Sequence, residues 1–266
     1  MLIITFNVNG IRARIHQLEA LIQKYNPDVL CLQEIKVSDE DFPYKDIENL
    51  GYKIFNYGQK GFHGVAVLSK VEPVSVIKGL DGGIDEEQKR YIQCDFNSKI
   101  GVVSICNSYF PQGENRKHEL KFPYKERYYE RITNHLREIK NPIILTGDFN
   151  IAPRKVDRAI GDDAEKRWLR EGHTAFLPEE LEWFEKLESI GLEDIWRERN
   201  QNTNISTWFD YRSRGFEREP KRGLRIDFFL TTFDLQKSFI SSKIDHDIRA
   251  MDKPSDHCPV TLELDL

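Results

Sequence analysis

The stretch from Asn141 to Pro153, Asn-Pro-Ile-Ile-Leu-Thr-Gly-Asp-Phe-Asn-Ile-Ala-Pro, constrains the fold of this chain more than any other. Pro142 and the apolar run Ile143 to Leu145 read as a short buried strand, and Gly147 is expected to turn the chain and present Asp148 and Asn150 at the strand's end. A carboxylate and a carboxamide thus leave the core together. In open α/β sheets ligands bind beyond the carboxyl ends of the strands, so this edge becomes a site if other strands deliver partners to it.

Several segments qualify. Leu2 to Phe6 reads as a strand running into Asn7, and Asp28 to Leu32 as another finishing at Gln33 and Glu34. Between them Ile15, Leu18, Leu21, Ile22 and Tyr25 recur at helical spacing until Pro27 ends the helix. Tyr52 to Tyr57, Val65 to Leu68, Tyr91 to Phe96 and Val102 to Tyr109 carry β-branched and aromatic residues between Gly, Asp and Asn, which marks sheet strands. A long helix with Tyr128, Ile132, Leu136 and Ile139 on one face returns the chain to the Asp148 strand. Glu179 to Ile190 reads as a second amphipathic helix, Ile226 to Leu230 as a strand beginning near Asp227, and Val260 to Leu264 as the last strand, preceded by Ser255-Asp256-His257. Strands and helices in an order neither strictly alternating nor segregated imply a layered α/β sandwich. With 266 residues, no low-complexity linker and no internal repeat, one domain over 1–266 is expected.

Composition narrows the class. Met1 precedes an apolar strand with no basic leader, and no apolar stretch is long enough to span a bilayer, so a cytoplasmic protein without membrane attachment is expected. The four cysteines, Cys31, Cys94, Cys106 and Cys258, lack CxxC spacing and read as reduced, buried thiols. A formal net charge of −5 argues mildly against a nucleic-acid partner. Charge placement opposes that total, because Arg212, Arg214, Arg218, Lys221, Arg222 and Arg225 crowd one segment while acids crowd Pro178 to Glu188. A positive face on an acidic protein is compatible with both facts.

An Asp or Asn at a strand end is ordinarily a turn former or cap. Their repetition is what departs from that reading. If Glu34, Asp148, Asp227 and Asp256 converge, like charges about 4 Å apart repel by roughly 4 kcal/mol at an effective dielectric of 20, and a cation or protons must hold them. Oxygen ligands select Mg²⁺ or Mn²⁺ over zinc, and Mg²⁺ held by few carboxylates points to phosphoryl chemistry.

These residues carry a resemblance. Asn7, Leu30-Cys31-Leu32-Gln33-Glu34, Asn107 to Glu114, Gly147-Asp148-Phe149-Asn150, Arg222-Gly223-Leu224-Arg225-Ile226-Asp227 and Ser255-Asp256-His257 resemble, in order and end to end, the exonuclease III family of abasic-site endonucleases. Phe176 to Glu180 and Trp208 to Arg212 resemble its bacterial branch. The resemblance implies the four-layer α/β sandwich of the DNase I-like superfamily, with two mostly antiparallel or mixed sheets face to face and helices outside. It implies a Mg²⁺-dependent nuclease, with Mn²⁺ as substitute, cutting duplex DNA 5′ to abasic sites and clearing nucleotides or blocking groups from 3′ ends, as a monomer.

By that resemblance Glu34 is the metal ligand, with Asn7 and Asp256 near the ion and Asp148, Asn150 and His257 around it. Asp148 moves a proton as base or acid, Asn150 orients water or a phosphate oxygen, and Asp227 fixes the tautomer of His257, which donates to the phosphate. Tyr109 completes the phosphate clamp. Gln112, Arg116 and Lys121 are phosphate contacts, and Trp208 and Leu224 wall a pocket for the bare sugar. Lys166, Arg167, Trp168 and Arg170 mix charge with an aromatic, while Trp208, Phe209, Tyr211 and Phe216 interleave with arginines in a way that suits stacking and backbone tracking on DNA. The remaining histidines, His16, His63, His118, His135, His173 and His246, read as surface or packing residues. The alternatives are a lipid or inositol phosphatase on the same fold, which would lack the Trp208 to Arg225 stretch, and a non-catalytic DNA-binding relative, which would have lost one of Glu34, Asp148, Asp227 or His257.

Overall fold

A computed structural model describes residues 1–80 and 88–266. Twelve strands are described: β1 (Leu2–Asn7), β2 (Val29–Gln33), β3 (Lys53–Tyr57), β4 (Val65–Ser69), β5 (Ser75–Lys78), β6 (Tyr91–Ser98), β7 (Gly101–Tyr109), β8 (Ile143–Asp148), β9 (Leu192–Asp194), β10 (Asp227–Thr232), β11 (Phe239–Ile244) and β12 (Val260–Leu264). They form two six-stranded sheets, ordered β11-β12-β1-β2-β4-β3 and β5-β6-β7-β8-β10-β9. Within them β1 and β2 run parallel, as do β7 and β8, and the other pairs are antiparallel.

Side chains alternate between the two faces of each strand, so each strand feeds two cores. Ile3, Val29, Ile105, Ile144 and Phe229 meet in a core between the sheets. Their neighbours Ile4, Phe6, Leu30 and Leu32 face outward, where Leu18 and Leu21 of α1 (Ile15–Tyr25) and Ile47 of α2 (Tyr44–Glu48) cover them. On the far side Leu145, Phe228 and Leu230 pack under α3 (Lys121–Glu138), through Tyr128, Ile132 and Leu136, and under α5 (Pro178–Glu188), through Trp183, Phe184 and Leu187. The result is the expected four-layer sandwich of helix, sheet, sheet and helix. Between α3 and α5 in chain order comes α4 (Asp162–Glu171), whose Trp168 stacks on Phe176 at 5.7 Å.

The expected strands and helices form within about two residues of their predicted ends, except β8, which continues past Leu145 to Asp148. Three edge strands, β5, β9 and β11, and the helices α2 and α4 are not foreseen from the sequence. Burying only part of a face, β5 and β11 carry Ser and Lys where a central strand would carry apolar residues, and α4 is largely charged. All four cysteines are free and buried, as expected. Among the described residues no helix is long and apolar enough to cross a membrane.

Candidate active site

The inter-sheet core turns polar at one end. Asn7 lies on the same face of β1 as Ile3, Gln33 on that of Val29, Asn107 and Tyr109 on that of Ile105, Asp148 on that of Ile144 and Asp227 on that of Phe229, since even spacing keeps a face. Register aligns them: Asn7 stands opposite Gln33, and Asp148 stands between Tyr109 on one side and Asp227 on the other. The strands do not all end at this edge. Asp227 begins β10 and His257 precedes β12, and because both strands run antiparallel to their neighbours their starts meet the ends of β8 and β1.

Gly147 acts differently from the turn expected of it. Strand β8 continues through it to Asp148, at φ +135°, and a Cβ there would lie 1.9 Å from the Ser108 carbonyl oxygen. Only glycine lets β7 and β8 approach so closely. The chain reverses at Asn150, in the left-handed region at φ +52°, and Glu34 leaves β2 the same way at φ +49°. Both site residues hold a conformation that non-glycine residues seldom adopt, maintained by the surrounding contacts.

Asp148 is gripped at both oxygens. The Asn150 backbone N–H donates to Oδ1 at 2.9 Å, and the Asn7 amide donates to Oδ2 at 2.9 Å. The same Asn7 amide donates to Glu34 Oε1 at 2.9 Å, while Lys36 Nζ lies 2.8 Å from Glu34 Oε2. His257 Nδ1 bonds Asp227 Oδ2 at 2.9 Å, and its Nε2 faces Asp148 Oδ2 at 3.7 Å. Asp256 stands at the rim, accepting from Asn9 Nδ2 at 2.8 Å and from Trp208 Nε1 at 3.0 Å. Glu34, Asp148, Asp256, His257 and Tyr109 line one cavity of about 210 Å³, whose other wall holds Trp208 and Leu224.

Charge in this cavity is ordered. Burial works against a charged His257, but Asp227 and Asp148 outweigh it and raise its pKa to about 10, so the ring is an imidazolium at neutral pH. Burial lifts Asp148 to about 7 against the opposing pull of His257, with Asp227 and Glu34 adding to the rise. Burial also disfavours the Glu34 carboxylate, yet Lys36 and the Asn7 amide hold its pKa below the usual value. One carboxylate is thereby fixed as an anion and its neighbour is poised to exchange a proton.

Glu34, Asp148 and His257 bring ligand atoms within 4.8 Å of one another, an arrangement able to hold a metal ion. Glu34 and Asp148 offer carboxylate oxygens to this group, and oxygen donors suit a hard cation. The four acids do not form one cluster: Asp227 lies behind His257, and Asp256 is held at the rim.

A family model described as the endonuclease/exonuclease/phosphatase family matches residues 4–257. The chain belongs to that family. It is 50% identical over 267 aligned positions, covering 99% of both chains, to exodeoxyribonuclease III of Haemophilus influenzae. Among solved structures it resembles a 3′ phosphatase from Neisseria bound to a product DNA hairpin, with 33% identity, TM-score 0.91 and 100% of both chains covered. It also resembles an AP endonuclease from Archaeoglobus fulgidus, with 32% identity, TM-score 0.90 and 100% of both chains covered.

Other residues of this family member stand around the cavity in different states. Gln112 reaches it and donates to Thr174 Oγ1 at 2.9 Å. Arg116 forms a two-bond pair with Glu179 at 2.5 Å, and Lys121 pairs with Glu114 at 2.5 Å, so both cations are spoken for in the free protein. Trp208 is half-buried and pairs its backbone with Leu224, which is buried. The basic stretch is not all surface. Arg225 is buried against Asp157 and Asp194, and Phe209 is buried against Phe216, so neither belongs to a DNA-facing strip. The interleaving pattern misplaced them because burial here comes in runs, with Tyr211 to Arg214 exposed and Gly223 to Leu230 buried, which the mixed composition does not reveal.

Some contributors had no place in the sequence reading. Lys36 and Asn9 follow Glu34 and Asn7 at even spacing, a signal available locally. Lys125 and Glu180 form a fully buried ion pair at 2.6 Å. Lys125 also donates to the carbonyl of Asn150 at 2.8 Å, and Glu180 accepts from the backbone of Ala175 and Leu177 at 2.8 Å. The pair thus ties the Asp148 loop to the wall of the cavity. Its sequence traces are a lysine on the apolar stripe of α3 and the place of Glu180 in the Phe176 to Glu180 segment, neither of which says that the two meet.

Proposed function

We propose that this chain is a metal-dependent DNA-repair nuclease that hydrolyses phosphodiesters 5′ to abasic sites in duplex DNA and clears nucleotides, phosphates or other blocking groups from 3′ ends. The observation carrying this reading is the cavity of about 210 Å³ that combines a charged imidazolium, a buried carboxylate near neutrality and an anionic Glu34 beneath a tryptophan and a leucine. Its size suits a sugar without its base.

In this reading His257, oriented by Asp227, donates from Nε2 to a phosphate oxygen as charge builds there. Asp148, held by Asn7 and Asn150, takes the proton of the attacking water or returns one to the leaving oxygen. Asn150 and Tyr109 orient the phosphate and water, and Trp208 and Leu224 enclose the sugar. Glu34 would hold Mg²⁺, or Mn²⁺ in its place, with Asn7 and Asp256 in its surroundings, and the ion would supply neutralisation of phosphate charge. Gln112, Arg116 and Lys121 follow the backbone, positioning without reading sequence. A monomer acting as one unit over 1–266, in the reducing cytoplasm where its thiols stay free, completes the proposal.

The test is cleavage of three duplexes bearing an abasic site, a 3′ phosphate or a recessed 3′ end, with Mg²⁺ and with EDTA. Metal-dependent cutting at the abasic site is expected; release of phosphate from a soluble inositol phosphate with no cutting of DNA would overturn the proposal.

A further inference from the structure

The peptide groups that follow Asp148 are held from one helix. Along α3, Lys125 and Tyr129 stand about one turn apart on the same face, and each holds a carbonyl oxygen of the turn. The Tyr129 hydroxyl donates to the Phe149 carbonyl at 2.7 Å, and Lys125 Nζ donates to the Asn150 carbonyl at 2.8 Å. Lys125 Nζ has two further acceptors, Glu180 Oε1 at 2.6 Å and the Gln112 carbonyl at 3.3 Å. Three acceptors use all three N–H groups of an ammonium. Burial lowers the Lys125 pKa, with Glu180 and Asp148 opposing. Glu180 is also fully engaged, since its Oε2 receives the backbone N–H groups of Ala175 and Leu177 at 2.8 Å. Gly113 makes room for the lysine stem, because a Cβ there would lie 3.0 Å from Lys125 Cδ.

Stability alone does not explain this pair. Two buried charges lose hydration that apolar side chains of similar volume would not, and replacing such a pair by apolar residues is often neutral or stabilising. Apolar residues could not, however, satisfy two carbonyls arriving from separate segments. Both segments line the cavity, at Gln112 and at Asn150, with Thr174 and Ala175 on the wall that Glu180 holds. Asn150 is the sensitive member, with its left-handed φ of +52°. The Phe149 carbonyl and the Asn150 N–H belong to one planar peptide, so Tyr129 holds one end of it while Asp148 Oδ1 accepts from the other at 2.9 Å. Lys125 holds the next peptide. The φ and ψ of Asn150 are the torsions between these two planes, and fixing both planes fixes them. We propose that Lys125 and Tyr129 are positioning residues for the reaction at Asp148, clamping the peptides on either side of Asn150 and so setting the N–H that grips Asp148 and the direction of the Asn150 side chain. This rests on the nuclease reading of the site and adds to it two groups that do not line the cavity.

Lys125→Met alone would strand a buried carboxylate, so the test combines it with Glu180→Gln, which removes both charges and keeps an oxygen for the Ala175 and Leu177 N–H groups. Tyr129→Phe removes a single hydroxyl and is the milder second variant. Cleavage at an abasic site is followed in single turnover with enzyme in excess, and backbone amide exchange is followed in the free protein. Misplacement lowers the rate constant, whereas loss of folded protein lowers the amplitude. The double variant should cleave at least about tenfold more slowly and Tyr129→Phe at least about threefold, each at full amplitude, in keeping with the steep cost of misplaced catalytic groups. Exchange of the amides from Phe149 to Ile151 should quicken in both, while exchange in β7 and β10 changes only with global stability. Rate constants equal to the parent's in whichever variant folds, a loss confined to amplitude, or exchange at the turn that merely follows global stability would each overturn the proposal. A parent that cut no duplex would refute the nuclease reading, while the exchange data would still decide whether the two side chains hold the turn.

Discussion

Replacing Asp157 with Asn should reveal how the cavity wall is held. Asp157 Oδ1 accepts from Arg225 Nε at 2.6 Å and from Arg197 Nη2 at 2.5 Å, and Arg225 continues to Asp194 Oδ2 at 2.5 Å. All of these groups are buried, so the amide leaves two guanidiniums facing one remaining carboxylate. Breaking a buried pair by removing one partner costs about 3–5 kcal/mol, and the retained amide oxygen places the expected loss near the lower end, about 3 kcal/mol. At roughly 2–4 °C per kcal/mol for a chain of this size, the melting temperature should fall by roughly 6–12 °C. The loss should also depend on pH. Burial opposes the Asp157 charge, but Arg225 and Arg197 outweigh it and lower its pKa. A carboxylate with a lowered folded pKa stabilises above its unfolded value of about 3.9 and loses that contribution as pH falls through the folded value. Urea unfolding should therefore show a constant deficit between pH 7 and pH 5 that shrinks below about pH 4. The exposed control Asp252→Asn should change stability by less than about 0.5 kcal/mol. A deficit at pH 7 below about 1 kcal/mol would refute the assignment of Arg225 to the interior framework.

Other substitutions probe the cavity and its approaches. Glu34→Gln exchanges a charged ligand for a neutral oxygen and should raise the Mg²⁺ concentration for half-maximal cleavage, measured by titration; EDTA should silence the parent reversibly, and recovery with zinc alone would contradict the oxygen-donor reading. Trp208→Ala should narrow the preference for abasic over normal duplex, and because the side chain is half-buried it should cost less than the about 3–5 kcal/mol of a fully buried tryptophan. A large fall in melting temperature with an unchanged cleavage ratio would rule out its pocket role. Lys121→Ala should flatten the slope of log K against log salt by about 0.9, and an unchanged slope would return Lys121 to its pair with Glu114.

What was readable beforehand followed from alternation and from strand ends. Ile144 and Asp148 share a face by spacing alone, and the same rule places Asn7 with Ile3 and Asp227 with Phe229, so the polar end of the inter-sheet core was written into the central strands. The edge strands β5 and β11 were not, because a half-exposed strand tolerates Ser and Lys and loses the pattern. Sequence spacing also says nothing about long-range charge pairing. Arg225 reads as one more cation in a basic run until Asp157 and Asp194 are seen beside it, and Arg116 reads as a free phosphate contact until Glu179 is found on it. Gly147 reads in sequence as a turn residue, whereas its need arises from the Ser108 carbonyl on a neighbouring strand.

The most direct measurement compares the parent with Asp148→Asn on a duplex bearing one abasic site, reading the single-turnover rate in Mg²⁺ and the binding constant in EDTA. A positioned acid or base contributes roughly 10²- to 10⁴-fold, and the amide keeps the shape that Asn7 and Asn150 grip. The account predicts a rate at least about a hundredfold lower with binding unchanged within threefold; a rate within threefold of the parent would contradict it.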